Sequence, residues 1–352
     1  MRNRINTLQF LRAFLAVYIL LFHVILELNN QYKSQYVLLS RIIANGYTAI
    51  DLFFILSGFV IFYNYSHKIG DIKGARNFLI KRILRIYPLY WIVTLLTVVT
   101  LFGLYKVKLW ENKELLFKSL LLIPQNGYPI VAPAWTLSYI VFFYIIFSLV
   151  MFKPKVFIPM VSCWLLAIVL NLFEIISLSK YNNYLVSFLF SWMFLEFFMG
   201  CLVAYIVQKF HIKYETYFLL VGMFLYGFSC GFNFEIHRLL SIAAPVSLVI
   251  LGLVLVEMKY EIVTPKLICF LGDASYSIYI MHYLVTVNIL IGVTKVNQLE
   301  KVIDYNLILL IILSLGVIVS ILYYLFVEKP LVKVLDKIQY KFIDTYNISN
   351  NP

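Results

Sequence analysis

Arg12 and His23 bracket the stretch "RAFLAVYILLFH", a guanidinium and an imidazole at the two ends of ten apolar or aromatic residues. A helix turns about 100° per residue, so eleven steps return to within about 20° of three full turns. Both groups then share one helix face, about 16 Å apart along the axis. An imidazole takes up and returns protons near neutral pH, and a guanidinium forks onto carboxylate or phosphate oxygens. Because ionisable groups are costly in hydrocarbon, that face must point at protein or water. The plainer readings are a snorkelling arginine and a histidine held by an interhelical hydrogen bond. A second basic pair stands in "RNFLIKRILRIYPLYW", where Arg82 and Arg85 project from one helix face beside Lys81. Two guanidinium forks suit a phosphorylated donor, against the alternative of ordinary anchoring at a membrane boundary.

The elements that must position these groups follow from composition. With 62% hydrophobic and 13% charged residues, the chain reads as an integral membrane protein. Windows of about 20 apolar residues, enough to cross about 30 Å of hydrocarbon, begin near residues 7, 43, 84, 134, 156, 184, 214, 238, 267 and 306. They predict an all-α polytopic bundle of ten transmembrane helices rather than a barrel. The shorter run "ELLFKSLLLIPQ" (114–125) carries Lys118 and stops at Pro124, so it reads as interfacial or re-entrant. Lys and Arg concentrate in the N-terminal segment, the C-terminal tail and the loops after even-numbered spans, which predicts cytoplasmic termini. The first span is too long for a cleavable signal and lacks a small-residue cleavage site.

No linker or repeat divides the chain, so residues 1–335 read as one membrane domain and 336–352 as a short polar cytoplasmic tail. Cys163, Cys201, Cys230 and Cys269 form no CxxC or Cys/His cluster, so neither a metal nor a disulfide framework is expected. The net charge of +12 is accounted for by positive-inside topology and anionic lipid, not nucleic acid.

Asp51, in the outer half of the second span, is placed to reach the level of His23, fix its tautomer and stabilise its charged form. A structural pair to another buried polar group is the alternative. His282 lies midway along the ninth span, lining the same cavity or packing as a hydrogen-bonded histidine. His67, His211 and His237 fall in loops or at span ends and read as solvated. Trp135, Ser138 and Tyr139 stand near the outer end of the fourth span, suited to a sugar ring, while an interfacial aromatic belt equally explains Trp135.

The Arg12/His23 spacing together with Arg82/Arg85 resembles the bacterial membrane-bound acyltransferase family 3, O-acyltransferases of cell-surface polysaccharides. Agreement continues in order through "GYTAIDLFFILSGFVI", "PAWTLSYIVFFY", "FLEFFMG", "LGDASYSIYIMH" and "VEKPL". The resemblance implies a catalytic His23, arginines associated with an acyl-coenzyme A donor, and delivery of the acyl group to an acceptor on the outer face. Arg82, Arg85 and Arg12 would hold the phosphates of the donor, most simply acetyl-coenzyme A, with no permanently bound cofactor. His23 would serve as general base or transient acyl acceptor, and Asp51 as its partner. One departure stands out: the family pattern after "WTLSY" continues with a glutamate, and this chain has Ile140 there. Glu196, in "FLEFF", is the nearest substitute, although it matches its own family position.

These readings predict an O-acyltransferase of a bacterial cytoplasmic membrane acting on a surface or lipid-linked glycan. Trp135, Ser138, Tyr139, Glu196 and His282 are assigned to the acceptor. Membrane lipid surrounds the protein, and a homo-oligomer or polysaccharide-synthesis partners are compatible with it. Two alternatives stay open: a transporter of polysaccharide or lipid-linked sugar, and a non-catalytic subunit of a polysaccharide synthesis complex.

Overall fold

A computed structural model describes residues 5–32, 46–176, 183–231, 238–260, 262, 264–291 and 304–349. Every regular element among them is helical, because a chain this apolar must satisfy each backbone N–H and C=O within its own segment. In order, the helices are α1 (Asn6–Tyr32), α2 (Thr48–Tyr65), α3 (Ile72–Tyr105), α4 (Lys113–Leu120), α5 (Trp135–Phe152), α6 (Pro154–Leu172) and α7 (Tyr184–Leu189). They continue with α8 (Met193–Lys209), α9 (Glu215–Gly231), α10 (Ala244–Tyr260), α11 (Lys266–Asp273), α12 (Ser275–His282), α13 (Tyr305–Tyr323) and α14 (Lys329–Ser349).

Among the described residues, eight helical stretches are long and apolar enough to cross a membrane, or nine if α11 and the continuation of α12, bent by 51°, are one broken span rather than a re-entrant loop. The shorter apolar Glu215–Cys230 stands at the seventh expected position. Each expected window thus has a helix, but ten full-length spans are not what the lengths give. The polar tail is helical as far as it is described, the later part of α14. The run at 114–125 folds as α4, which ends before Pro124. The Asn112 side chain caps it by accepting from the Leu115 N–H at 3.0 Å. Lys118, 2.5 Å from Glu114, holds that carboxyl below its ordinary range.

The chain gathers into two compact units, one from residues 1–19, 36–67 and 159–275, the other from 20–35, 68–158 and 276–352. In the first, α2 and α8 meet at glycines. A Cβ on Gly58 would lie 1.8 Å from the Phe197 carbonyl oxygen, and one on Gly200 would lie 1.9 Å from that of Ile55. Small residues let the backbones touch, and close packing replaces the hydrophobic drive that lipid cannot supply. Phe54 and Phe197 stack at 4.6 Å beside this crossing. The start of α1 is held in the same unit by Glu257, whose carboxylate accepts from the backbone N–H groups of Asn6 and Thr7 at 2.6 and 2.7 Å. An acidic side chain at a helix N-terminus meets both orphan donors and the positive end of the dipole.

In the second unit, Pro88 interrupts the hydrogen-bond ladder of α3. Tyrosines meet the carbonyls around it: the Tyr276 hydroxyl donates to Ile86 O and the Tyr323 hydroxyl to Leu89 O, each at 3.1 Å. The Tyr90 hydroxyl and Trp91 indole donate to the carbonyls of Ser119 and Leu120 at the end of α4. After His282 the helix widens into a π segment, Tyr283–Ile291, a local form often found at functional sites.

The α2/α8 crossing makes a direct prediction. Gly58→Ala puts a methyl group against backbone that cannot move aside, so it should destabilise the protein by about 1–3 kcal/mol or more. Gly103→Ala, with nothing within 4 Å of its new Cβ, should be neutral or stabilising by up to about 1 kcal/mol. Unfolding in matched detergent measures both.

Candidate active site

The second unit brings two histidines together. His23 Nδ1 and His282 Nε2 are 3.2 Å apart, and His282 Nδ1 is 2.5 Å from the Tyr279 carbonyl oxygen. A carbonyl only accepts, so His282 carries its hydrogen on Nδ1. With both rings neutral, His282 Nε2 is then an acceptor and His23 Nδ1 the donor to it. The lone pair of His23 is thereby left on Nε2, away from the pair. His282 is fully buried and His23 half-buried. The Tyr283 ring meets His23 edge-on at 5.8 Å.

Tyr279, whose carbonyl sets this arrangement, is itself pinned. Its hydroxyl donates to Pro133 O at 2.5 Å and lies 2.5 Å from the Thr136 hydroxyl, tying α12 to the first turn of α5. The Thr136 hydroxyl also bonds Pro133 O at 3.1 Å. The Thr286 hydroxyl donates to His282 O at 2.5 Å.

Five residues before His282 on α12, about 7.5 Å along the axis, Ser277 reaches a charged group. Ser277 donates to Glu328 Oε2 at 2.5 Å, and Arg85 reaches Glu328 Oε1 at 2.8 Å. The Glu328 side chain is 1% exposed, whereas that of Arg85 is 38% exposed. One edge of the guanidinium is thus taken by a buried carboxylate while the rest stays accessible. Arg82 departs from the expected matching role: its guanidinium lies 5.5 Å from the Phe78 ring centre and 5.6 Å from that of Tyr144, a cation–π seat.

The remaining expected residues fall as follows. Arg12 is half-buried on the unbroken α1, three turns before His23. Asp51, expected to orient His23, is engaged instead by Arg238, whose Nε donates to its Oδ2 at 2.8 Å; the ring that orients His23 is His282. Glu196 joins Asp51 and Arg238 in one electrostatic group of the first unit, and it is fully buried. On α5, Ser138 and Tyr139 are buried, and Trp135 is half-buried with its ring edge-on to Tyr139 at 5.9 Å. Thr136 is the residue of that turn that reaches α12. His67 and His211 are exposed, as expected, and His237 lies outside the described residues. The four cysteines are free thiols.

Sequence reasoning missed Glu328, Ser277, Tyr279, Thr136 and Arg238. Glu328 lies within "VEKPL", where a glutamate at the end of an apolar run is the available signal. Glu27, four residues after His23 and hence on its face one turn on, is a further half-buried carboxylate.

A family model described as an acyltransferase domain matches residues 5–325. The exopolysaccharide production protein ExoZ of Rhizobium meliloti (strain 1021) is 27% identical over 258 residues, covering 67% of this chain and 75% of that protein. No solved structure matches.

The Arg85–Glu328 pair yields an ordering of stabilities. Arg85→Ala strands a buried carboxylate and should cost about 3–5 kcal/mol. Adding Glu328→Gln removes the charge while keeping an oxygen for Ser277, so the double variant should recover most of that loss. Unfolding measurements that place the double variant at or below Arg85→Ala would contradict the pairing.

Proposed function

Since the chain belongs to the acyltransferase-3 family, a group of multi-pass membrane proteins, we propose that it transfers an acyl group, acetyl in the simplest case, from cytosolic acyl-coenzyme A to a hydroxyl of a surface or lipid-linked glycan. The membrane is a bacterial cytoplasmic membrane, with both termini inside. The relationship to an exopolysaccharide production protein supports the glycan, and the apolar helices support the membrane.

The observation that carries the chemistry is the His23–His282–Tyr279 relay. His23 Nε2 takes the proton of the acceptor hydroxyl as its oxygen attacks the thioester carbonyl. The C–S bond then breaks, and coenzyme A leaves as a thiolate that receives the proton back. Imidazolium formed on His23 keeps its Nδ1–H on His282, so the ring does not reorient between taking and returning the proton. If His23 is acylated first, Nε2 is the nucleophile and the same hydrogen bond holds the ring.

Arg85 supplies the donor end. A guanidinium with one edge on Glu328 and its remaining N–H groups accessible suits the phosphate oxygens of coenzyme A. Arg82, seated on two rings, adds positive charge alongside. Because α12 carries both the Ser277 contact to Glu328 and the His282 contact to His23, the spacing between phosphate and proton acceptor is set by one short helix.

The test is purified protein in proteoliposomes with acetyl-coenzyme A labelled in the acetyl group, following free coenzyme A and labelled glycan. Wild type should turn over, with Ile140 in place. His23→Ala should fall to background. His282→Ala, which frees the His23 ring, should lose roughly 10²–10⁴-fold in kcat and keep KM for acetyl-coenzyme A, while Arg85→Ala should raise that KM. Turnover that survives His23→Ala in folded protein would remove the proposed base.

A further inference from the structure

The π segment Tyr283–Ile291 opens immediately after His282. In a π turn each N–H reaches back five residues instead of four, so where the segment opens, the carbonyl of His282 passes from the N–H of Thr286 to that of Val287. The Thr286 hydroxyl takes up the vacated place, donating to His282 O at 2.5 Å. Threonines commonly bond back one turn in a helix, and Thr94 and Thr97 of α3 do so at 2.9 and 2.8 Å. Thr286 differs from them in what it holds, the residue whose ring orients His23, and in what stands behind it.

Behind it stands Gly316 of α13. A Cβ there would lie 2.6 Å from the Thr286 methyl carbon and 3.5 Å from a δ-carbon of Leu20. Leu20 comes three residues before His23, on its face of α1. Within the second unit, one glycine thus backs both elements that carry the histidine pair, the first through Thr286 and the other through Leu20. Thr286 and Leu20 are both 0% exposed, so a carbonyl that lost its hydroxyl donor here would have no solvent to replace it.

We propose that Thr286 is a positioning residue for the His23–His282 pair, holding the chain in its π register from a seat that glycine at 316 leaves open. His282 is then fixed at two points, its ring by Tyr279 O at 2.5 Å and its main chain by Thr286. Without the hydroxyl, the N–H of residue 286 returns to His282 O and the α register is regained. Tyr105 pins the far part of the segment by donating to Asn288 O at 2.9 Å, so the change of register is taken up at His282. The 3.2 Å hydrogen bond to His23 breaks, and the His23 ring loses the partner that directs its lone pair. That the pair moves a proton in catalysis rests on the acyltransferase reading; that Thr286 holds the pair does not.

NMR of isotope-labelled histidine ring nitrogens, on the full chain in detergent, tests this without any acyl transfer. Signals of the pair are assigned by their loss in His23→Ala and His282→Ala. Wild type should show both rings protonated on Nδ1. Thr286→Val removes the hydroxyl and keeps the shape; it should abolish the Nδ1–H signature of His23 and lower kcat about tenfold or more at unchanged KM for acetyl-coenzyme A. Thr286→Ser keeps the hydroxyl and should retain both signatures. Gly316→Ala drives a methyl group into that of Thr286 and should change the spectrum as Thr286→Val does. Combining it with Thr286→Ser clears the methyl group and should restore the wild-type spectrum, which decides the question even where Thr286→Val does not fold. Wild-type ring signals in both Thr286→Val and Gly316→Ala, or no recovery in the double variant, overturn the positioning role. Ring signals that behave as expected in protein without acyl transfer would sink the acyltransferase reading and leave the role of Thr286 standing.

Discussion

A backbone carbonyl oxygen can only accept, so the 2.5 Å contact between His282 Nδ1 and Tyr279 O decides where the proton of that ring sits. In water such a preference would be worth little, since either tautomer finds partners. Inside hydrocarbon the ring has no solvent to fall back on, and the assignment passes to His23 through a single 3.2 Å hydrogen bond. The Tyr279 carbonyl stays in place because its hydroxyl is tied to the first turn of α5. The His23 ring of α1 is therefore held by α12 and α5, and the π segment after His282 begins where this constraint ends.

Ion pairs follow a common pattern in both units. In each, a nearly inaccessible carboxylate holds an arginine that reaches it from a more open position: Glu328 at 1% holds Arg85 at 38%, and Asp51 at 3% holds Arg238 at 35%. Such a pair contributes little net stability, because desolvation of the carboxylate offsets most of the attraction. What it supplies is orientation. A long flexible side chain fixed along one edge loses less entropy when a ligand takes the other, the advantage of a preorganised guanidinium.

Hydropathy made the helices legible because each must satisfy its backbone alone, a property of the segment and not of its neighbours. Contacts between segments were less so. His23 and His282 were both singled out from their places in apolar runs, but Asp51 was matched to His23 on depth alone, and depth does not specify which helix faces which. Arg82 and Arg85 do project from one face as their spacing requires, yet the rings of Phe78, four residues before, and of Tyr144 on α5 take Arg82 and Glu328 takes Arg85. Gly58 and Gly200 sit in "LSGFVI" and "FLEFFMG", and the reason for them, backbone contact between α2 and α8, needs the pairing of the two helices.

Ile140 sharpens the chemistry assigned to the histidines. It lies four residues after Thr136, on the same face of α5, the face that meets Tyr279. There the hydrogens are accounted for: the Tyr279 hydroxyl gives its proton to Pro133 O, and the Thr136 hydroxyl donates to the Tyr279 oxygen or to Pro133 O. A glutamate at 140 would add a charge one helical turn from this hydrogen-bonded trio, whereas isoleucine adds none. Isoleucine carries no proton, so in the proposed mechanism proton transfer is left to His23. Along α1, Glu27 stands one turn beyond His23 and on its face, where in the proposed mechanism it would stabilise imidazolium without touching the hydrogen bond that sets the tautomer.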